Sequence, residues 1–216
     1  MKELLEFLAQ LKQNNHKEWF ESQRNHYQNL RNEFTQTMEQ IFPKLLAFDT
    51  SLKSVNPKGT MFRINRDIRF SKDKSPYKTN FGSYFAEGGT QSNLAGYYVH
   101  IEPQNSFVGG GMYQPEAEEL KKIRQEIDYH TEEFLGIIQE SNFVKYFGTI
   151  QGEKLKNVPK GYDKEHIAGE YLKLKGFFVT ATFTDTQLSQ DDLVEQMADR
   201  FRAMYPLNVF LNRAVQ

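Results

Sequence analysis

Residues 1–47 carry apolar side chains at helical spacing. Leucines recur every three or four positions over residues 3–13, which predicts a short amphipathic helix. A second apolar run with the same spacing continues to Ile41, and we expect Pro43 to end or kink this longer helix. Asn15 is expected to cap the second helix, because Glu18 stands three residues later as in a capping box. The two segments together predict a long N-terminal helical hairpin.

From about residue 60 the apolar residues alternate with polar ones, which is the period of a β-strand. The segments with this pattern are Thr60–Ile64, Phe81–Glu87, Ala95–Glu102 and Ser106–Met112. Turn-forming residues, Gly88-Gly89 and Pro103-Gln104-Asn105, separate the last three segments. This order predicts an antiparallel meander, because short turns join neighbouring antiparallel strands.

The helical period returns after residue 115. It predicts helices over 115–129 and 131–140, a short helix within 163–174, and a last helix from about Ser189 that Pro206 should end or bend. One more strand, Gly176–Thr184, precedes that helix. The fold class is therefore α+β, with a largely antiparallel sheet, the N-terminal helical hairpin and a C-terminal helix packed on the sheet. We expect a single domain over 1–216, in which 1–47 is the helical part and 58–216 is the body that contains the sheet.

The composition excludes several kinds of site. The 216 residues include no cysteine, which excludes disulfides, thiolate zinc sites and a cysteine nucleophile. The 27 Lys and Arg are balanced by 28 Asp and Glu, so binding of nucleic acid or phosphate would need a local basic patch. The N-terminus lacks the apolar stretch of a signal peptide, and no segment approaches the roughly 20 apolar residues of a membrane span. We therefore expect a cytoplasmic protein with no membrane contact, no metal and no cofactor.

A basic patch of this kind lies between residues 63 and 78, here named the cationic segment, which holds six basic and two acidic residues. If the chain is extended, Arg66 shares a face with apolar residues, whereas Arg63 and Arg69 share the other face. A buried guanidinium without a partner is very costly, so Arg66 needs a carboxylate, carbonyls or a bound anion, unless a turn re-aims it. The segment is thus an internal Arg–Asp network, an anion site built from arginine forks, or a solvated stretch of charge.

The cationic segment contains the run Arg63-Ile64-Asn65-Arg66-Asp67-Ile68-Arg69-Phe70, followed by Asp73-Lys74 and by Tyr77. This run resembles the Arg-x-x-Arg-Asp-x-Arg-Phe mark of a family of uncharacterised conserved proteins, which is widespread in bacteria and also occurs as a region of some fungal proteins. The chain length suits that family, so the resemblance extends over nearly the whole chain, and it implies no activity. The charge pattern and the resemblance together give the candidate ligand-binding residues Arg63, Arg66, Arg69, Asp73, Lys74 and Tyr77.

A second candidate group lies on a predicted strand, where His100 and Glu102 share a face with Tyr98. The two residues are a base with an orienting carboxylate, a pair of metal ligands, or a polar strand face with a satisfied histidine. With Asp67, which would orient an arginine or act as a base, they are the catalytic candidates. No third ligand has metal-binding spacing, so we predict no metal site. The glycines at 109–111 match no phosphate-binding motif, which favours close strand packing or a bulge.

Three functions follow from these observations. The favoured one is binding, with or without catalysis, of a small phosphorylated or carboxylated ligand at the arginine-rich site. The alternative is a structural or partner-binding protein in which the arginines form an internal network with aspartates. The third is nucleic-acid binding, which interleaved basic and aromatic residues support and a near-neutral net charge opposes. The pattern assigns no oligomeric state.

Overall fold

The computed structural model describes residues 1–69 and 72–216, so Phe70 of the motif lies outside the described residues. The chain begins with three helices: α1 (Lys2–Gln13), α2 (Lys17–Ser22) and α3 (Arg24–Leu46). The N-terminal helical region is thus confirmed, with the longer predicted helix divided at Gln23. The prediction that Asn15 caps it is wrong, because His16 is the capping residue and the Asn15 side chain binds the backbone of Tyr77 instead.

A four-stranded antiparallel sheet follows, with the strands in the order of the sequence. The strands are β1 (Phe81–Phe85), β2 (Gly96–Ile101), β3 (Ser106–Met112) and β4 (Phe177–Phe183). The predicted strand at Thr60–Ile64 is wrong. Its backbone bonds β1 only from Phe62 to Gly82 and from Tyr84 to Thr60, each at 2.9 Å, and then turns to pair with residues 76–78. This turn draws the cationic segment out of the sheet and folds it back on itself.

The remaining helices follow β3 along the chain, and three of them pack against the last helix. They are α4 (Ala117–Tyr129), α5 (Thr131–Gln139), α6 (Ser141–Phe147), α7 (Gly169–Leu172) and α8 (Leu193–Val215). The helix predicted within 163–174 is confirmed as the single turn of α7, and α6 lies where the sequence pattern was mixed. No helix among the described residues is long and apolar enough to cross a membrane.

Neither proline ends its helix, although the sequence predicted an end or a bend. Pro43 lies inside α3 and Pro206 lies inside α8, which continues to Val215. A proline within a helix costs about 3 kcal/mol, because it removes one backbone hydrogen bond and crowds the preceding turn. The turns of α8 after Pro206 bury Leu207, Phe210 and Leu211 completely or nearly so. Each buried side chain contributes roughly 1.5–3 kcal/mol, which exceeds the cost of the proline.

The two faces of the sheet have different surroundings. One face carries buried apolar side chains such as Phe85, Val99 and Val108, and α8 packs on it, as predicted for the C-terminal helix. The residues between them point to the opposite face, because side chains alternate along a strand. That opposite face, here named the open face, bears a cavity of about 760 Å³. A ligand in that cavity would therefore contact the open face of the sheet.

Candidate functional site

Arg69 and Asp67 form an exposed ion pair in the cationic segment. Arg69 donates from Nε and Nη2 to the two carboxylate oxygens of Asp67, at 3.0 and 2.6 Å, and its backbone amide donates to the same group. These hydrogen bonds from Arg69 hold the pKa of Asp67 well below its usual range. A carboxylate held in this way is a weak base, so the catalytic role suggested for Asp67 gains no support from its geometry.

Arg66 is the half-buried arginine of the segment, with 28% of its side chain exposed. Its Nη1 lies 3.3 Å from a carboxylate oxygen of Asp73, and its Nη2 lies 3.4 Å from the carbonyl oxygen of Tyr77. Its Nε is buried and has no hydrogen-bond partner among the described residues. Of the alternatives expected for Arg66, the described residues supply a carboxylate and a backbone carbonyl, and they leave its buried Nε without a partner.

Lys74 and Tyr77 shape the segment from within. Lys74 donates from Nζ to the carbonyl of Ile68 at 2.8 Å, which closes the loop. Tyr77 is buried, and its ring stacks on Phe20 with 4.0 Å between centroids. The side chain of Asn15 binds the amide of Tyr77 at 3.1 Å and its carbonyl at 3.0 Å. These contacts fasten the far end of the cationic segment to the N-terminal helices.

Lys78 stands where the cationic segment meets the cavity. Its ammonium lies 5.6 Å from the centroid of the Phe62 ring, and both residues line the cavity. Burial lowers the pKa of Lys78, and the nearby charges of Arg63 and Arg66 lower it further. Within residues 1–69 and 72–216, no carboxylate forms an ion pair with Lys78. Lys78 belongs to the cationic segment, but charge spacing gave no reason to choose it over the other lysines.

The floor of the cavity is bare backbone because two glycines of β3, Gly109 and Gly111, line it and lie in register with the open-face positions of β2. Gly96 of β2 is paired with Gly111 of β3, and Gly109 lies beside Tyr98. A Cβ atom at Gly96 would lie 2.3 Å from the Phe85 carbonyl oxygen, and Gly111 has a φ of +100° that side chains rarely adopt. The close strand packing expected at residues 109–111 is thereby confirmed, and it leaves an open slot over the middle of the sheet.

The predicted Tyr98, His100 and Glu102 group does share the open face. The His100 Nδ1 lies 3.0 Å from the Tyr98 hydroxyl, and its Nε2 lies 3.3 Å from a carboxylate oxygen of Glu102. Thr79 and Asn105 donate further hydrogen bonds to Glu102. Burial lowers the pKa of His100 and, with the charge of Glu102, raises that of Tyr98 to about 12. A neutral His100 therefore donates from Nε2 to Glu102 and accepts the Tyr98 proton at Nδ1.

This group predicts a pH dependence of stability. The pKa of His100 in the folded protein is below its ordinary 6.5, so the unfolded chain binds more protons as the pH falls below that value. The free energy of unfolding should therefore decrease as the pH falls from 7 towards 5, by at most about 1.4 kcal/mol per pH unit for this one group. Urea denaturation of the wild type and of His100→Gln over this range measures the effect. We expect the wild type to lose more stability than the variant, and parallel curves would contradict the assignment.

Comparison with protein-family models places the chain in a known family. A family model described as "Conserved hypothetical protein (DUF2461)" matches residues 3–210, a range that includes the cationic segment and every residue of the cavity. No curated protein and no solved structure matches the chain. No group of three or more potential metal ligands occurs in the described part of the chain. The match leaves function to be argued from the site.

Proposed function

The chain belongs to the family of conserved hypothetical proteins whose model matches residues 3–210, and on that premise we propose that it binds a small anionic ligand in the open-face cavity. The ligand is phosphorylated or carboxylated, and its anionic group contacts Lys78, with Arg63 and Arg66 adding positive potential. We also propose that the motif beginning at Arg63 is the mark of this family in bacteria and fungi. The members of the family would then share the cationic segment because it forms one end of the cavity and gives that end a positive potential.

The observation that carries this proposal is the half-buried ammonium of Lys78, which lines the cavity and has no ion-paired carboxylate among the described residues. Removing a charge from water is unfavourable unless an opposite charge or several hydrogen bonds replace the lost hydration. Lys78 has neighbours of the same sign, Arg63 and Arg66, which increase the unfavourable energy. A ligand anion would offset both effects at once, whereas a purely structural lysine would be expected to have a carboxylate nearby.

The other charged pairs of the segment support a structural role for part of it. Asp67 is paired with Arg69 at the surface, and Asp73 contacts Arg66 with 55% of the aspartate side chain exposed. Exposed ion pairs contribute roughly 0–1 kcal/mol each, so these pairs fix the shape of the loop more than they stabilise the fold. We assign Arg69, Asp73, Lys74 and Tyr77 to the framework of the site, and the direct ligand contact to Lys78.

Any reaction of the bound ligand would involve His100, which lines the cavity as a neutral imidazole. Its Nδ1 is the basic atom, because Nε2 is directed to Glu102. The Tyr98 hydroxyl also belongs to a residue that lines the cavity, and it donates to that atom, since its raised pKa keeps it protonated at neutral pH. This arrangement resembles a base with an orienting carboxylate, and it is the catalytic part of the proposal.

Lys78→Met is expected to keep or raise the stability of the unliganded protein and to weaken the binding of anions. The unliganded variant should be at least as stable as the wild type, because methionine removes a desolvated charge and keeps most of the apolar stem. Thermal unfolding with phosphate monoesters and carboxylates should show stabilisation of the wild type, about 2.7 kcal/mol at a hundred times the dissociation constant. The variant should lose this stabilisation.

Lys72→Met is the matched control, because Lys72 is an exposed lysine of the same segment and does not line the cavity. It should keep the ligand-induced stabilisation. The proposal fails if no anion stabilises the wild type, or if the two lysine variants respond to anions in the same way. A Lys78→Met protein that is clearly less stable without ligand would instead favour an internal structural role for the lysine.

A further inference from the structure

The slot over the glycine floor has the shape of a site for a flat ring. In one cross-strand row, Tyr98 of β2 and Thr180 of β4 stand on either side of Gly109. The backbones of β2 and β4 are two strand spacings apart, roughly 10 Å. A ring that stacks at van der Waals distance between two walls fits a gap of this size. In the next row, Phe178 of β4 stands beside Gly111 and gives a wall on the β4 side alone, because the partner of Gly111 on β2 is Gly96.

Aromatic side chains make up the walls of this slot. Phe107 and Tyr98 have ring centroids 5.8 Å apart, and Phe178 forms an edge contact with the exposed Tyr113 at 5.1 Å. Phe178 and Phe107 are only half-buried although they are large and apolar, so part of each ring faces the cavity. Faces of this kind stack on heterocycles, and the contact tolerates different ring identities because every ring has a π face.

The charges of the cavity are arranged at opposite ends. At one end, the ammonium of Lys78 lies over the ring of Phe62. The backbone N–H of Phe62 donates to the carbonyl of Gly82, and Gly82 is paired with His100 on the neighbouring strand. Glu116 and Glu119 line the other end, just after β3 and beyond Gly111. His100 lies four positions after Gly96 on β2, which corresponds to roughly 14 Å at 3.4 Å per residue. An anionic group is therefore favoured at the Lys78 end and disfavoured at the other.

We propose that the ligand of this cavity is a single nucleotide, or a close analogue in which an aromatic heterocycle is joined to a phosphate. The base would lie in the glycine-floored slot against Phe178, and the phosphate would lie at Lys78. This inference rests on the proposed function and names its ligand class. The volume of about 760 Å³ falls within the range of small-molecule sites, roughly 300–1,000 Å³.

A longer nucleic-acid strand fits the cavity less well than a single nucleotide. A strand needs a basic track for successive phosphates, and the path beyond the slot leads to Glu116 and Glu119. The chain as a whole has a formal net charge of −1. The charge distribution therefore matches one phosphate at one end of one ring.

Isothermal titration calorimetry with three probes tests the ligand class. Adenosine 5′-monophosphate carries both the ring and the phosphate, ribose 5-phosphate carries only the phosphate, and adenosine carries only the ring. We expect the protein to bind the nucleotide at least about tenfold more tightly than it binds adenosine or ribose 5-phosphate, since stacking and charge both contribute. An eight-residue single-stranded oligoadenylate should bind no more tightly than the mononucleotide.

Phe178→Leu separates stacking from charge, because it removes the ring and keeps the apolar bulk. It should weaken binding of the nucleotide about tenfold and leave binding of ribose 5-phosphate unchanged. Phe42→Leu is the matched control, since Phe42 is also half-buried but stacks on Phe85 away from the cavity. It should change neither affinity. Circular dichroism melts establish that both variants fold, and the three-probe comparison on the wild type needs no variant.

The outcomes separate the two proposals. Equal affinity for the nucleotide and ribose 5-phosphate would overturn the nucleotide assignment and leave anion binding in place. Tighter binding of the oligoadenylate would also overturn it, in favour of a nucleic-acid strand. If neither phosphate compound binds, or if Lys78→Met does not weaken their binding, the proposed anion site itself fails.

Discussion

Replacing Gly110 by alanine is expected to lower the free energy of unfolding by about 3 kcal/mol, the upper part of the range for overpacked cores. Gly110 points away from the cavity, towards α8. An added Cβ atom would lie 2.3 Å from the Sδ of Met204 and 2.6 Å from the carbonyl oxygen of Gly96. The methionine can move aside, but the carbonyl belongs to the neighbouring strand. The substitution must therefore push α8 outward or distort the pairing of β2 and β3.

Gly136→Ala is the control for this prediction, because a Cβ atom at Gly136 in α5 would contact nothing within 4 Å. Alanine in a helix is more stable than glycine by roughly 0.5–1 kcal/mol, so this variant should be slightly stabilised. Urea denaturation of both variants gives the two changes on one scale. Similar midpoints for Gly110→Ala and the wild type would mean that α8 does not pack as closely on β3 as the distances state.

The behaviour of Gly110 also shows how far the sequence could predict the fold. Period alone located three of the four strands close to their true bounds from Phe81 to Met112, and it located β4 within Gly176–Thr184. The period could not show that Gly110 allows α8 to pack closely on the sheet, whereas Gly109 and Gly111 leave the cavity floor without side chains. That division depends on which face of the sheet the helices cover, and only the packed structure decides it.

The predicted strand at Thr60–Ile64 failed for a related reason. Alternation in this segment is real, and Ile64 is buried as a strand residue would be. Its partner, however, is the nearby stretch that includes Pro76 and Lys78, not a long strand of the sheet. Pairing choice depends on contacts between segments, which the local period does not report.

Some residues of the candidate site could be predicted from the sequence, and others could be found only in the structure. The cationic segment was recognisable from its charges, and His100 with Glu102 from their spacing in a strand. The importance of Lys78 rests on its burial and on the lack of an ion-paired carboxylate among the described residues. The aromatic wall residue Phe178 lies on a predicted strand in which the sequence pattern indicated no candidate site residue. Neither property is visible until β2, β3 and β4 are placed side by side.

Asn15 is the residue through which the N-terminal helices hold the cationic segment, so Asn15→Ala should have the second large effect. Its amide binds both the N–H and the carbonyl of Tyr77, a residue buried against Phe20. Removing the amide leaves two partly buried backbone groups without their partner, at roughly 1–3 kcal/mol for each group. We expect the free energy of unfolding to fall by about 2–4 kcal/mol, measured by urea denaturation.

Asn14→Ala provides a control of the same chemistry one residue earlier. The Asn14 amide donates to the carbonyl of Gln10 at the end of α1, in an exposed position, so its loss should cost about 0.5–1.5 kcal/mol. Because Tyr77 directly precedes Lys78, loosening its backbone should also weaken anion binding in Asn15→Ala but not in Asn14→Ala. Equal losses of stability in the two variants would show that the segment is held by the stacked rings, and unchanged anion binding in Asn15→Ala would show that Lys78 is positioned from the sheet side.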